Sequence, residues 1–288
     1  MPELPEVETI ARTLRPQLIG KRIVEADVRW VRTVAMPSAK KFKEQIQGQK
    51  VVEVSRRAKF LNIQLTPVRD PQGKAYNLLI HLRMSGDLLI KQGKIKREKH
   101  DRLILTLAPL RLPPNSLNLG EEKKEYLVFN DTRKFGRVWL TDDVEKVLGR
   151  LGPEPLSDDF TARWLFDSLR SRHRQLKPLL LDQTFLAGLG NIYTDEALHM
   201  AKLHPRALSD SVTSKQAERL HQAIQTILQE GIRRNGASID WVYRGGDFQN
   251  HFRVYGRDGE PCPVCGTTIQ KIIVGQRGTH ICPNCQKG

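Results

Sequence analysis

Apolar residues near the start of the chain recur at helical spacing: Val7, Ile10, Ala11, Leu14 and Leu18 fall on one face. Pro5 suits a first helical turn, and Glu6 and Glu8 suit the positive end of the helix dipole. The pattern predicts an amphipathic helix. The period then changes from near four to two. Short runs of strand character cover 23–28, 51–54, 60–65, 76–82, 88–90, 103–107, 126–129 and 138–140. Alternation is clearest in Asn62-Ile63-Gln64-Leu65 and in Leu103-Ile104-Leu105-Thr106-Leu107. Many short strands separated by loops predict an antiparallel sandwich or barrel. The connections 67–74 and 109–125 are long, and their sequence gives no functional signal.

Residues 149–159 are rich in turn formers and mark a boundary, after which 160–236 is largely helical. Thr213-Ser214-Lys215-Gln216 has the form of a capping box, and Ala217, Leu220, Ile224, Ile227, Leu228 and Ile232 continue it as one stripe. Upstream, Gly188-Leu189-Gly190-Asn191-Ile192-Tyr193 leads into another helix. Glycines before a helix suit phosphate binding by backbone N–H groups, although an ordinary helix hairpin needs the same residues. At the C-terminal end Cys262-Pro263-Val264-Cys265 is followed, after 16 residues, by Cys282-Pro283-Asn284-Cys285. Two such knuckles present four thiolates, the set for one structural Zn²⁺, with no ligand position left open for catalysis. Between them, 269–274 and 277–281 read as a β-hairpin.

Composition narrows the partner. Lys+Arg 47 against Asp+Glu 32 leaves a formal charge of +15 over 288 residues, which favours a polyanion. No run approaches the length of a membrane span, and the acidic start has no apolar signal region. The four cysteines all lie in the C-terminal knuckles and do not form an extracellular disulfide framework. The expected compartment is the cytoplasm.

Candidate chemistry sits at the opening. Methionine aminopeptidases remove an initiator Met ahead of a small residue, and Pro2 qualifies. Removal would expose a secondary amine, and α-amino groups titrate near pH 8, so part would be nucleophilic at neutral pH. Attack on a sugar C1′ or an aldehyde gives an iminium, an electron sink that keeps its charge without a proton. Glu3, the next residue, could move protons at the same centre. Farther on, Arg56-Arg57-Ala58-Lys59 places cations beside a strand, where an ordinary solvated strand end would also put them.

The string Met1-Pro2-Glu3-Leu4-Pro5-Glu6-Val7-Glu8-Thr9 resembles the opening of the formamidopyrimidine-DNA glycosylase family, and the likeness extends over essentially the whole chain. It implies an α+β protein. An N-terminal catalytic antiparallel β-sandwich with flanking helices would span 1–148. A helix–two-turn–helix DNA-binding domain with a lesion-capping loop would span 149–250, and a β-hairpin zinc finger 251–288. It implies a bifunctional glycosylase and AP lyase of base excision repair, a monomer acting on double-stranded DNA with an oxidised purine, in the bacterial nucleoid. Pro2 would be the nucleophile, Glu3 the acid, Lys59 the catalytic lysine and Arg277 a helper of the last elimination. Met84, Arg133 and Phe135 would enter the space left by the flipped base. His100, Lys177 and Asn191 match DNA-contacting positions, and Arg172 stands where relatives usually carry Lys. Arg83 replaces a usual Gly, and Thr132 and Lys134 replace common Pro and Arg. Residues 238–250, with Arg244-Gly245-Gly246-Asp247, resemble the loop that covers the lesion. The related endonuclease VIII branch, which takes oxidised pyrimidines, is the nearest alternative; Leu4, Val7 and Met84 favour the purine branch. A non-catalytic zinc-ribbon DNA-binding protein is the alternative from another class, and a retained Met1 would select it.

Overall fold

The computed structural model describes residues 1–68, 73–109, 124–238 and 245–287. Most of the two long connections, and Arg244 in the expected capping loop, lie outside the described residues. The chain divides into two units, Met1–Pro2 with Val7–Gly149 and Glu3–Glu6 with Arg150–Gly288.

The opening helix α1, Leu4–Leu18, has its first turn in the second unit's segment, and from Val7 on it belongs to the first, where Val7, Ile10, Ala11, Leu14 and Leu18 are buried, the stripe its spacing predicts. Strands follow at β1 Lys21–Val28, β2 Val34–Met36, β3 Gln49–Arg57, β4 Phe60–Pro67 and β5 Tyr76–His81. Then come β6 Gly86–Gln92, β7 Asp101–Pro109, β8 Glu125–Asp131 and β9 Arg137–Thr141, and the short helix α3, Glu145–Leu148. Among the described residues they join in one sheet of order β2-β9-β5-β4-β3-β1-β7-β8-β6. Two groups of strands meet in it through a single register pair between β1 and β3, Arg22↔Lys50. Both strands carry register shifts close by, at Ile23/Glu25 and Val51/Glu53, and bulges bend strands. All pairings are antiparallel except β2 with β9, which is parallel. Alternation in β4 buries Leu61, Ile63 and Leu65, whereas Leu78, Leu79, Ile80 and His81 in β5 are all buried, as in a strand covered on both faces. Helix α2, Ala39–Ile46, was not anticipated; Ser38 caps it by accepting the Lys41 N–H, and Phe42 and Ile46 are its buried residues.

The second unit is helical. Helices α4 Ala162–Arg170, α5 Leu176–Leu181, α6 Asn191–Met200 and α7 Ser214–Arg233 pack around Leu165, Leu169, Leu180, Tyr193, Leu198, Ile224 and Leu228. The capping box at Thr213 and Gln216 is formed. Eight consecutive residues of α6, Ile192 to His199, are buried, so this helix runs through the middle of its core. Among them Glu196 accepts N–H groups from Arg253, Val254 and Tyr255 at 2.8–3.0 Å, which hangs the segment before the knuckles on α6. Strands β10 Gln270–Val274 and β11 Arg277–Ile281 form the expected hairpin, and Gly275 and Gln276 both take positive φ in its two-residue turn.

Candidate active site

The first amides of a helix lack intrahelical partners, and α6 gives them to Glu3. The Glu3 carboxylate accepts the N–H of Gly190 at 2.7 Å, of Ile192 at 3.0 Å and of Tyr193 at 3.5 Å. The group is 2% exposed, and the helix dipole favours an anion there. Gly190 has φ −128°, open to any residue, yet a Cβ would lie 2.3 Å from Glu3 Cδ. That position demands glycine for space, not for backbone freedom. The Glu3 main chain is held as well: its N–H donates to Glu6 Oε2 at 2.7 Å. Glu6 Oε1 accepts the Tyr193 hydroxyl at 2.7 Å and the Ala237 N–H at 2.8 Å. Glu3 is thereby fixed at side chain and backbone, directly after Pro2, which is buried.

A second network joins α5, α6 and the hairpin. Lys177, fully buried, forms an ion pair with Asp195 Oδ1 at 2.6 Å and donates to the Gly278 carbonyl at 3.0 Å and to the Thr279 hydroxyl at 2.8 Å. Burial lowers its pKa, opposed by the attraction of Asp195. Asp195 also accepts the His280 N–H at 2.9 Å, and Asn191 donates to the same Gly278 carbonyl at 3.0 Å. Arg277, at the start of β11, is exposed. Lys177, expected from its motif to touch DNA, instead spends its donors inside the protein and carries the backbone next to Arg277. Arg172 is exposed, with its guanidinium on the Ser168 carbonyl at 2.7 Å and 5.1 Å from the Phe185 ring.

In the first unit Lys59 is 4% exposed at the turn between β3 and β4, after Ala58 at φ 53°. His81 at the end of β5 is also buried, and its Nδ1 accepts the Arg83 N–H at 3.0 Å, which leaves the ring proton on Nε2. Burial first, then the charges of Arg83 and Lys59, lower its pKa to about 3. The imidazole is neutral beside two cations, a role its motif did not signal. Met84 and Phe135 are exposed apolar side chains at 40% and 48%, and the Arg133 guanidinium lies 5.1 Å from the Phe135 ring. Arg83 and Lys134 have φ 57° and 61°, a conformation that glycine adopts without steric cost. Arg102 donates to His100 Nδ1 at 3.1 Å, since a guanidinium has no acceptor.

The four sulfurs of Cys262, Cys265, Cys282 and Cys285 lie within 4.8 Å of one another, with separations of 3.4, 3.5 and 3.9 Å among them. Tetrahedral thiolates on zinc stand about 3.8 Å apart, from Zn–S bonds of about 2.3 Å. The donor set fits one structural Zn²⁺, which four thiolates saturate.

Models of known families match in three places. The formamidopyrimidine-DNA glycosylase N-terminal domain matches residues 1–138, the H2TH domain of that enzyme 151–242, and a zinc finger found in FPG and IleRS 259–288. A formamidopyrimidine-DNA glycosylase of Pelotomaculum thermopropionicum is 42% identical over 295 residues, covering 100% of this chain and 99% of its own. That of Protochlamydia amoebophila is 40% identical, with both chains covered in full. Among solved structures, Lactococcus lactis Fpg in complex with DNA containing an abasic site superposes with a TM-score of 0.87 at 35% identity, covering 100% of both chains. MutM in complex with DNA containing carbocyclic 8-oxo-G gives 0.87 at 36%, again over both full chains.

Proposed function

The chain belongs to the formamidopyrimidine-DNA glycosylase family and is a DNA glycosylase of base excision repair with AP lyase activity, acting on oxidised purines in duplex DNA; we propose that Pro2 and Glu3 carry its chemistry. The observation that carries this assignment is the Glu3 carboxylate fixed by the α6 amides and by Glu6, one peptide bond from Pro2.

Once Met1 is removed, the Pro2 amine attacks C1′ of the damaged nucleotide. The glycosidic bond breaks and its electron pair leaves with the base, which takes up a proton. The sugar ring opens as the iminium forms, and Glu3 protonates the ring oxygen. The iminium acidifies the C2′ hydrogen, so a base removes it and the 3′ phosphate departs. A second elimination, assisted by Arg277, releases the 5′ phosphate. Charge-assisted contacts from Lys59, Asn191, Arg172 and His100 hold the phosphates. Lys177 serves binding indirectly, through the Gly278 and Thr279 contacts that support Arg277. Met84, Arg133 and Phe135 enter the opened duplex, offsetting the cost of extruding the base. Residues 239–244 of the expected capping loop lie outside the described residues; the residues that flank them are joined, the Ser238 N–H donating to Gln249 at 2.8 Å and its hydroxyl accepting from Gly246 at 2.8 Å, which suits a loop that covers the extruded base.

The zinc holds the hairpin that presents Arg277 and takes no part in the reaction. The working division is a catalytic part over 1–148, a DNA-binding helical part over 149–250 and the zinc module over 251–288. No helix among the described residues is long and apolar enough to cross a membrane. The basic excess supports the reading of a protein associated with DNA in the cytoplasm, and the proposed working form is a monomer. Incubation with duplexes carrying single lesions tests the reading. 8-Oxoguanine and formamidopyrimidines should be released and the strand cut on both sides of the sugar. A preference for oxidised pyrimidines would move the protein to the endonuclease VIII branch.

A further inference from the structure

The segments carrying Met84 on one side and Arg133 and Phe135 on the other share one buried anchor. Asp131 is 1% exposed. Its Oδ1 accepts the Ser85 hydroxyl and the Arg133 N–H, the latter at 3.2 Å, and its Oδ2 accepts the Gly136 N–H at 2.7 Å. The Ser85 hydroxyl oxygen in turn accepts the Arg133 N–H at 3.0 Å. The main chain of Asp131 extends the anchor: its N–H donates to the His100 carbonyl at 2.9 Å and its carbonyl accepts Arg102 Nε at 2.7 Å. Below the carboxylate lies the buried Phe129 ring, and both segments seat a glycine on it. A Cβ on Gly86 would come within 2.8 Å of that ring, and one on Gly136 within 2.3 Å.

We propose that Ser85 and Asp131 are positioning residues that bind Met84 and Arg133 into one rigid wedge, so that neither enters the duplex without the other. The proposal rests on the reading that these side chains enter the duplex. Two loosely tethered segments would each lose conformational entropy on insertion, and each could insert alone. Joined through one carboxylate and one hydroxyl, they order together in the free protein. A poor fit between Arg133 and the base opposite the lesion then also withdraws Met84 from the stack. Discrimination by partner base therefore reaches the excision step itself and is not confined to binding. A carboxylate that merely closed a turn would have no such consequence.

The test is single-turnover excision of 8-oxoguanine opposite cytosine and opposite adenine, by wild type, Ser85→Ala, Ser85→Thr and Asp131→Asn. A parallel series uses a single-stranded oligonucleotide with one abasic site, which offers no partner base and no stack to hold open. Ser85→Ala should shrink the cytosine-over-adenine ratio by about fivefold, the worth of one ordinary hydrogen bond, and Asp131→Asn by more. Ser85→Thr, which keeps the hydroxyl, should restore the ratio. Cleavage of the single strand by Ser85→Ala should stay within about twofold of wild type, because the positioned wedge is not used there. A Ser85→Ala enzyme with the full wild-type ratio overturns the coupling and leaves the assignment of Arg133 standing. Equal losses on single strand and duplex overturn it too, since they mark a general structural role. A wild type with no partner preference overturns the assignment of Arg133 itself, and the coupling with it.

Discussion

Replacing Gly190 by alanine adds one methyl group where the structure has no room for it. The backbone at φ −128° tolerates alanine, so the perturbation is steric alone. The new Cβ would sit 2.3 Å from Glu3 Cδ and 2.4 Å from Oε1, about 1 Å inside ordinary contact. Gly190 stands at the head of α6, whose buried face cannot retreat, so the Glu3 side chain must give way. Its bonds to the Gly190 and Ile192 amides, at 2.7 and 3.0 Å, would stretch or break. Bonds to a charged group are worth about 1.5–3 kcal/mol each, which predicts a loss of about 3 kcal/mol or more and a lower Tm. A displacement of about 1 Å at a catalytic group costs on the order of a hundredfold in rate. The assay is single-turnover excision of 8-oxoguanine by Gly190→Ala, with thermal unfolding and zinc content measured on the same preparation. A folded, zinc-loaded variant that excises within about threefold of wild type would refute the idea that the α6 amides position Glu3 for catalysis.

The other expectations are as direct. His81 has a folded pKa near 3, below the unfolded value, so its stabilising share is complete above about pH 6.5 and fades as pH falls toward 3; at pH 5 the loss is roughly 2 kcal/mol. Urea unfolding from pH 7 to 5 should show that slope in wild type and a shallower one in His81→Asn; parallel slopes would contradict the burial argument. Metal analysis should find zinc in equal proportion to protein, and chelation or Cys282→Ser should loosen the hairpin and weaken DNA binding, because structural zinc energy is folding energy. Unchanged affinity in metal-free protein would contradict it. Arg133→Ala should erase most of the preference for cytosine opposite the lesion: cytosine offers O2 and N3 as neighbouring acceptors to a guanidinium fork, whereas adenine sets an amino donor beside N1, a difference of about 1–3 kcal/mol. Equal single-turnover rates on the two duplexes in wild type would show that Arg133 does not read that base.

Much of the fold was legible because local rules govern it. Period-two alternation located the longer strands of the first unit, helical spacing located α1 and α7, and cysteine spacing located the knuckles. Strand β2 escaped because three residues hold no period, and its parallel pairing with β9 is a tertiary event. Helix α2 had readable signs, a serine cap and Phe42 with Ile46 one turn apart, masked by a lysine-rich sequence. The candidate site divides the same way. Pro2, Glu3 and the cysteines are carried by contiguous motifs. The contacts that organise them join distant residues: Ser85 with Asp131 across 46 positions, Lys177 with Thr279 across 102, Glu3 with Gly190 across 187. No spacing rule reports these. Lys177 shows the consequence: the motif marks a basic residue, and only the packing shows that its ammonium is spent inside the protein.

The covalent step is open to one decisive observation. Protein whose intact mass lacks Met1 is incubated with an 8-oxoguanine duplex in the presence of borohydride, which reduces an iminium to a stable amine. The adduct is digested and its site read by peptide mass spectrometry. Attack by the N-terminal amine predicts a single cross-link on Pro2. A cross-link on Lys59 or another lysine, or strand cleavage without any trapped adduct, would contradict it.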